Sequence, residues 1–309
     1  MKGKVHNAGG IALAISAAAL YALSAPICKL LLADIPPTLM AGLLYVGAGI
    51  GMMILAAVRK LIGGSDIGGG RLTRAELPYT LAMIALDIAA PILLMIGLQR
   101  TSAASTSLLN NFEIVATAII ALALFKEKIS RRLLLGIISI TLSCLILSIE
   151  DIGSLNFSYG SLFVLAAALC WGFENNCTRK ISSKDPMQIV LLKGIFSGLG
   201  SLVIGLIKGE RTDSVVSILA VLLLGFLSYG MSIYLYVFAQ RSLGAARTSA
   251  YYAIAPFIGV LLSLLIFGAI PGYSFIIALA VMAVGAWLCS SDEPLIKTAA
   301  SISRRKNKY

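Results

Sequence analysis

Long apolar runs follow one another along the whole chain. We count ten of them, and each is close to the ~20 residues that an α-helix needs to cross the hydrocarbon core of a bilayer. They cover roughly residues 8–32, 37–58, 77–99, 101–125, 132–149, 159–178, 186–207, 215–239, 243–267 and 271–290. A membrane β-barrel would show short segments of alternating hydrophobicity instead. The pattern therefore predicts an all-α polytopic membrane protein with ten transmembrane helices.

Composition agrees with this prediction. Hydrophobic residues make up 59% and charged residues 13% of the 309 positions, and the mean hydropathy is +0.93. The net charge of +11 does not point to nucleic acid, because most Lys and Arg residues fall in alternate loops. This is the positive-inside bias, which places both termini in the cytoplasm and brings basic residues to lipid headgroups. We expect a multi-pass protein of a plasma (inner) membrane.

The second half of the chain repeats features of the first. Thr106 and its neighbouring serine in the fourth run return as Thr248 and its neighbouring serine in the ninth. A Gly-x-x-x-Gly face, which lets helices approach closely, occurs at residues 47–51 and again at 194–198. These echoes predict two related halves of five spans each.

An odd number of spans per half forces the second copy upside down relative to the first. Such inverted repeats are common in secondary transporters, whose binding site lies near the midplane between the halves. The predicted division is residues 1–152 for the first repeat, 153–290 for the second repeat and 291–309 for a basic cytoplasmic tail.

The fourth run carries a carboxylate at its middle. Glu113 shares a helical face with Thr106 and Asn110, because steps of three and four residues return to the same side of a helix. A carboxylate in a membrane helix costs about 3 kcal/mol or more, so it should face protein or water. Glu113 is a candidate for proton coupling or cation binding; the alternative is a packing carboxylate bonded to Asn or Ser neighbours.

Other ionisable residues lie in predicted spans. Asp87 could line the substrate pathway or satisfy the backbone freed by Pro91. Glu174 could stand at the pathway mouth or pair with Arg179, and Lys193 is expected to snorkel or to pair with a carboxylate. Aromatic and amide residues in these spans could line a cavity or only pack. The candidate substrate- or proton-binding residues are Tyr21, Asp87, Thr106, Asn110, Glu113, Trp171, Glu174, Tyr229 and Tyr252.

Other chemistries lack the residues they need. The one histidine is His6, before the first run, and the five cysteines form no CxxC pair, so we predict neither a metal site nor a cofactor. No GxxxxGK[ST] occurs, so the chain carries no nucleotide-hydrolysing loop of its own. We therefore predict that the protein is not an enzyme.

Two short motifs begin the halves: TyrAlaLeuSerAlaPro at 21–26 and TrpGlyPheGlu at 171–174, each with a basic residue eight positions after the aromatic. Together with the block at 100–130 and its partner from Ser242, they resemble the ten-helix EamA-type branch of the drug/metabolite transporter superfamily. The resemblance covers the chain up to residue 290. In that family the fourth span commonly reads Glu-Pro, whereas here Glu113 precedes isoleucine.

The resemblance implies alternating-access movement of small metabolites, often export of amino acids or related compounds, without ATP. It also implies a cavity lined by spans 1, 3, 4, 6, 8 and 9. The nine candidate binding residues lie in those spans, whereas spans 2, 5, 7 and 10 are mostly plain.

We therefore predict a secondary active transporter that exports small metabolites such as amino acids or organic cations. Three carboxylates in the predicted cavity favour a zwitterionic or cationic substrate, and protons are the candidate coupling ion. The competing interpretation is a passive facilitator or channel for small polar solutes. The expected partners are a small-molecule substrate and membrane lipid, with no nucleic acid; monomer and homodimer both remain open.

Overall fold

The computed structural model describes residues 2–62, 70, 72–125, 130–151, 156–181, 184–243, 248, 251–269 and 271–290. All ten predicted runs are helical within these residues, which confirms the predicted fold class. Seven of the described helical stretches are long and apolar enough to cross a membrane. The sixth predicted run forms a helix of 23 residues that carries charges, and the ninth and tenth predicted runs form shorter apolar helices. The predicted basic tail lies outside the described residues.

The ten spans have the following bounds. Span 1 comprises Lys2–Ala22 and Ser24–Leu31, span 2 is Pro37–Leu61, span 3 is Leu77–Arg100, span 4 comprises Ala103–Leu109 and Phe112–Phe125, and span 5 is Arg131–Ser148. Span 6 is Tyr159–Ile181, span 9 is Ala255–Phe267 and span 10 is Tyr273–Ser290. Spans 7 and 8 each contain a π-helical turn: span 7 runs from Pro186–Leu192 through Lys193–Ser197 to Gly198–Ile207, and span 8 runs from Val215–Gly225 through Phe226–Met231 to Ser232–Leu243. A 3₁₀ turn, Arg74–Glu76, precedes span 3.

One small element departs from the all-α prediction. An antiparallel hairpin pairs Ile149–Asp151 with Asn156–Phe157 between spans 5 and 6. It lies at the predicted joint between the two halves. The joint is therefore a short hairpin outside the spans.

Polar side chains fix where several spans begin. Ser102, Ser130 and Asp185 each accept a hydrogen bond from a backbone amide two or three residues on, at the starts of spans 4, 5 and 7. These side chains satisfy amides that a helix leaves unpaired at its first turn. Pro37 opens span 2, where its missing amide proton breaks no helical hydrogen bond.

The outer surface of the bundle is apolar and the buried interior holds the charge. On span 5, four side chains at helical spacing are 47–57% exposed: Leu135, Ile138, Leu142 and Leu145. In water such a stripe would be a large exposed apolar patch, whereas lipid tails cover it at no cost. Asp87 and Glu174, in contrast, are only 1% and 2% exposed. This inside-out arrangement is that of a polytopic membrane protein.

Contacts between spans follow the predicted two-fold relation of the halves. Spans 2 and 7, 4 and 9, and 5 and 10 each pack against their own counterpart. Span 3 packs on span 6 as span 8 packs on span 1, and span 4 packs on span 6 as span 9 packs on span 1. Exchanging the halves maps this set of contacts onto itself. The packing is therefore that of two repeats around one axis.

Spans 2 and 7 approach so closely that only glycine fits between them. A Cβ built on Gly194 would lie 2.5 Å from the Cα of Gly49. A Cβ on Gly47 would overlap the carbonyl oxygen of Leu222 in span 8. The Gly-x-x-x-Gly faces predicted from the sequence thus lie at the contacts between the two halves.

Candidate functional site

Three charged side chains from three different spans meet inside the bundle. The Lys193 ammonium of span 7 lies 2.6 Å from Glu174 Oε1 of span 6 and 3.3 Å from Asp87 Oδ2 of span 3. We name these three residues the ion triad. Both carboxylate side chains are at most 3% exposed, whereas the Lys193 side chain keeps 16% exposure. Mutual pairing makes such burial tolerable, since it offsets part of the desolvation cost of each charge.

Two hydroxyl groups complete the surroundings of the ion triad. Tyr45 of span 2 donates a hydrogen bond of 3.0 Å to Asp87 Oδ1, and Thr178 donates to the same Glu174 oxygen that faces Lys193. Span 3 continues as a helix through Pro91. Asp87 contacts side chains of spans 2 and 7, and its role in the substrate pathway stays a prediction.

Five tyrosines form a continuous row that starts at the ion triad. The ring centroids of Tyr45 and Tyr229 are 5.4 Å apart, and Tyr229 and Tyr21 are 6.0 Å apart. Tyr252 lies 6.0 Å from Tyr21 and 5.0 Å from Tyr236. These separations are those of interacting aromatic rings. This tyrosine row brings together three predicted site residues, Tyr21, Tyr229 and Tyr252.

Glu113 lies beside the ion triad and is held by an amide. Asn175 Nδ2 donates to Glu113 Oε1 at 2.6 Å and lies 3.3 Å from the Thr117 hydroxyl oxygen. Asn175 directly follows Glu174 in span 6, so this hydrogen bond ties Glu113 to the segment of span 6 that carries an acid of the ion triad. The hydrogen bond fits the packing alternative for Glu113, while the position fits the functional one.

A narrow crevice opens beside Asn110, between spans 1, 4 and 9. Its volume of about 20 Å³ holds one water-sized molecule, and its lining includes Tyr21, Ser107 and Pro256. Asn110 Oδ1 and the fully buried Thr106 hydroxyl have no hydrogen-bond partner within the described part of the chain. Buried polar atoms are normally paired, so these two are available to a ligand or a water.

The backbone is irregular where these residues lie. Span 4 breaks at Asn110 and Asn111 without any proline, and the segment before span 9 breaks at Ala253 and Ile254. The offset that aligns Thr106 with Thr248 brings these breaks to within one residue of each other. Irregular backbone at membrane depth is tolerated where it is buried in protein or lines a cavity. Both halves therefore interrupt their equivalent span at the site.

Two residues of the site come from spans that the family resemblance leaves outside the cavity. Tyr45 belongs to span 2 and Lys193 to span 7, both at the tight contact between the halves. Sequence reasoning missed Tyr45 because tyrosine is common in membrane helices. The pairing predicted as one alternative for Lys193 is observed. Trp171 is 6% exposed and belongs to the same buried cluster as Tyr45 and Tyr229.

Comparison with known proteins places the chain in a family. The sequence profile of the EamA-like transporter family matches residues 8–149 and again residues 158–291. An uncharacterized transporter of Methanothermobacter thermautotrophicus is 26% identical over 267 residues, which cover 82% of this chain and 77% of that protein. The uncharacterized transporter YyaM of Bacillus subtilis is 22% identical over 180 residues, or 55% of this chain and 59% of that protein.

The fold is also found among solved structures. One crystal structure matches with a TM-score of 0.65 at 18% identity, covering 90% of this chain and 94% of its own. At this identity the match shows the fold alone. The double family match coincides with the two halves seen in the packing, and the curated relatives are transporters. The chain therefore belongs to the EamA-like transporter family and is a multi-pass membrane transporter.

Proposed function

We propose that this transporter is secondary active and exports small metabolites, such as amino acids or organic cations, by alternating access. The observation that carries the proposal is that both halves build one buried site. Asp87 comes from the first half and Glu174 and Lys193 from the second. Asp87 and Tyr229 lie near the middles of spans 3 and 8. A midplane site shared by two repeats faces opposite sides of the membrane when the repeats rock against each other.

The charge of the site supports a cationic or zwitterionic substrate. Asp87 and Glu174 supply two carboxylates to the Lys193 ammonium, and Glu113, bonded to the Asn175 amide next to Glu174 in the chain, adds a third carboxylate. The tyrosine row beside them offers aromatic faces, which attract organic cations. A substrate with a positive charge next to an apolar body would satisfy both features.

We further propose that Glu113 couples transport to protons by exchanging one, or holds a substrate amine. Within the described part of the chain, the carboxylate accepts a hydrogen bond from the Asn175 amide just after the break in span 4. The positive-inside bias supports a plasma membrane location with both termini cytoplasmic. In that orientation the ion triad lies toward the cytoplasmic ends of spans 6 and 7.

Purified protein in liposomes tests this function. With a panel of labelled amino acids and amines, we expect an imposed pH gradient to drive accumulation of at least one solute above its equilibrium concentration. Glu113→Gln should lower the rate and flatten its pH dependence, whereas Glu210→Gln, in the loop between spans 7 and 8, should leave both unchanged. Flux that never exceeds equilibrium would identify a passive facilitator. An unaltered rate and pH profile in Glu113→Gln would remove Glu113 from the coupling.

A further inference from the structure

The ion triad surrounds a primary ammonium group with partners suited to one. Glu174 and Asp87 approach the Lys193 nitrogen from spans 6 and 3, at 2.6 and 3.3 Å. Tyr45 and Thr178 orient the two carboxylates by hydrogen bonds from outside the triad. A primary ammonium has three N–H donors in a compact group, and carboxylates are its strongest acceptors.

Lys193 does not use all of the hydrogen-bonding capacity of the two carboxylates around it. Asp87 is 1% exposed, and its Oδ2 lies at ion-pair distance from Lys193 but outside hydrogen-bond geometry. This buried acceptor therefore has hydrogen-bonding capacity that Lys193 does not fill. Two carboxylates also face one ammonium, so Lys193 balances only one of their two negative charges. Both features indicate a site that Lys193 fills only in part.

The Lys193 side chain can leave the site more easily than its helix can move. Its backbone begins the π-helical turn of span 7, and the next residue, Gly194, is in close contact with Gly49. The side chain keeps 16% exposure and has four flexible methylenes, unlike its nearly fully buried partners. Exchange of ammonium groups would therefore need only a change of side-chain rotamer.

We propose that Lys193 is a tethered ammonium that occupies the amine position of this transporter, and that a substrate bearing a primary ammonium displaces it from Asp87 and Glu174. The use of this position in transport rests on the proposed function above. The position itself does not, because it binds an amine whether or not transport follows. Lys193 thus sets specificity: a substrate must replace all that the lysine contacts.

The probe is n-butylammonium, which has the same carbon chain and charged group as the lysine side chain. Thermal unfolding of the purified full chain in detergent is followed in n-butylammonium chloride and in sodium chloride of equal ionic strength. We expect Lys193→Ala to be stabilised with an apparent affinity at least about ten-fold higher than wild type, because the tethered competitor is gone. Lys208→Ala, which removes a lysine paired with Glu210 in a loop, should respond as wild type does.

Three further probes define the chemistry. n-Butanol, butyrate and butyltrimethylammonium should each fail to stabilise Lys193→Ala, since they lack the charge, reverse it or lack N–H donors. Equal stabilisation by the quaternary ion would overturn the primary-ammonium assignment. An absence of any gain over wild type would reduce Lys193 to a structural ion-pair partner. Should Lys193→Ala fail to fold, the Lys193→Ala/Glu174→Gln variant keeps Asp87 as the acceptor and carries the same comparison.

The liposome assay separates this inference from the proposed function. Amine binding by Lys193→Ala without solute accumulation by wild type would retain the tethered ammonium and discard secondary active transport. Accumulation by wild type without selective amine binding by the variant would do the reverse.

Discussion

Each position of the ion triad has an equivalent position in the opposite half of the chain, and the side chains at the two positions differ completely in chemistry. The offset that takes Thr106 to Thr248 takes Asp87 to a tyrosine. Aligning the small-residue faces of spans 2 and 7 brings Lys193 next to Tyr45. The corresponding pairs are Asp87 and Tyr229, Glu174 and Ser24, and Lys193 and Val46. One backbone arrangement therefore carries three charged side chains in one set of positions and a tyrosine, a serine and a valine in the equivalent set.

This difference shows what duplication followed by divergence can achieve. A symmetric site would offer a ligand the same chemical groups from both halves of the chain. Here Tyr45 connects the ion triad to the other rings of the tyrosine row, since its hydroxyl contacts Asp87 and its ring contacts Tyr229. We therefore expect a ligand with a charged end and an apolar end to bind in one orientation only. The residues that create this asymmetry come from spans 2, 3, 6, 7 and 8.

The largest effect should come from removing the Lys193 ammonium from the ion triad. Lys193→Met leaves two buried carboxylates unpaired, and we expect it to lower the free energy of unfolding by about 3–5 kcal/mol. Neutralising both acids as well, with Asp87→Asn and Glu174→Gln, should restore most of that loss. Denaturant unfolding in detergent measures both variants. A triple variant as unstable as the single one would show that charge is not the cause.

Separating span 7 from span 2 should have the next largest effect. Gly194→Ala places a methyl group 2.5 Å from the Cα of Gly49, and neither backbone can yield without moving span 7 from span 2. We expect a loss of about 3 kcal/mol and loss of transport. Gly9→Ala is the matched control, because its new methyl group meets nothing within 4 Å. Equal behaviour of the two variants in unfolding would contradict the tight contact.

A smaller change tests Tyr45, which contacts both Asp87 and Tyr229. Tyr45→Phe removes the hydroxyl that donates to the buried Asp87 and should lower stability by about 1.5 kcal/mol. Tyr252→Phe removes only a 3.4 Å contact with the Ser232 hydroxyl and should cost about 0.5 kcal/mol. Thermal unfolding of the two variants side by side checks the order. The reverse order would place the more important hydroxyl in the tyrosine row.

The smallest effect concerns the loop that caps span 2, the span of Tyr45. Burial alone would raise the pKa of the Glu210 carboxyl, but hydrogen bonds from Lys208, Thr38 and a backbone amide lower its pKa below the ordinary value. The stabilisation is then complete above the ordinary pKa of about 4.3 and is lost as pH falls through the lower folded-state pKa.

Glu210→Gln should therefore lower stability at neutral pH by about 0.5 kcal/mol and reduce its decline in acid. Melting temperatures of wild type and variant between pH 3 and 7 measure the difference. Parallel curves would show that the Glu210 carboxylate does not contribute to the acid sensitivity.

Much of the fold follows from local features of the sequence. Ten apolar runs give ten spans because a bilayer requires each helix to be apolar over its length. The echo of Thr106 in Thr248 gives the repeat, and the odd number of spans gives its inversion. The high cost of intramembrane charge also marks Asp87, Glu113 and Glu174 as inward-facing without any structure.

The tertiary structure alone decided which of these groups meet. Helical periodicity shows which face Lys193 occupies, but the rotation of span 7 against spans 3 and 6 depends on packing at Gly49 and Gly194. The same holds for Tyr45, which the sequence leaves among ordinary membrane tyrosines. It also holds for the break in span 4, where the sequence contains no proline that would predict it. Contacts between distant spans are set by side-chain packing between helices, and a single sequence records only the pattern within each one.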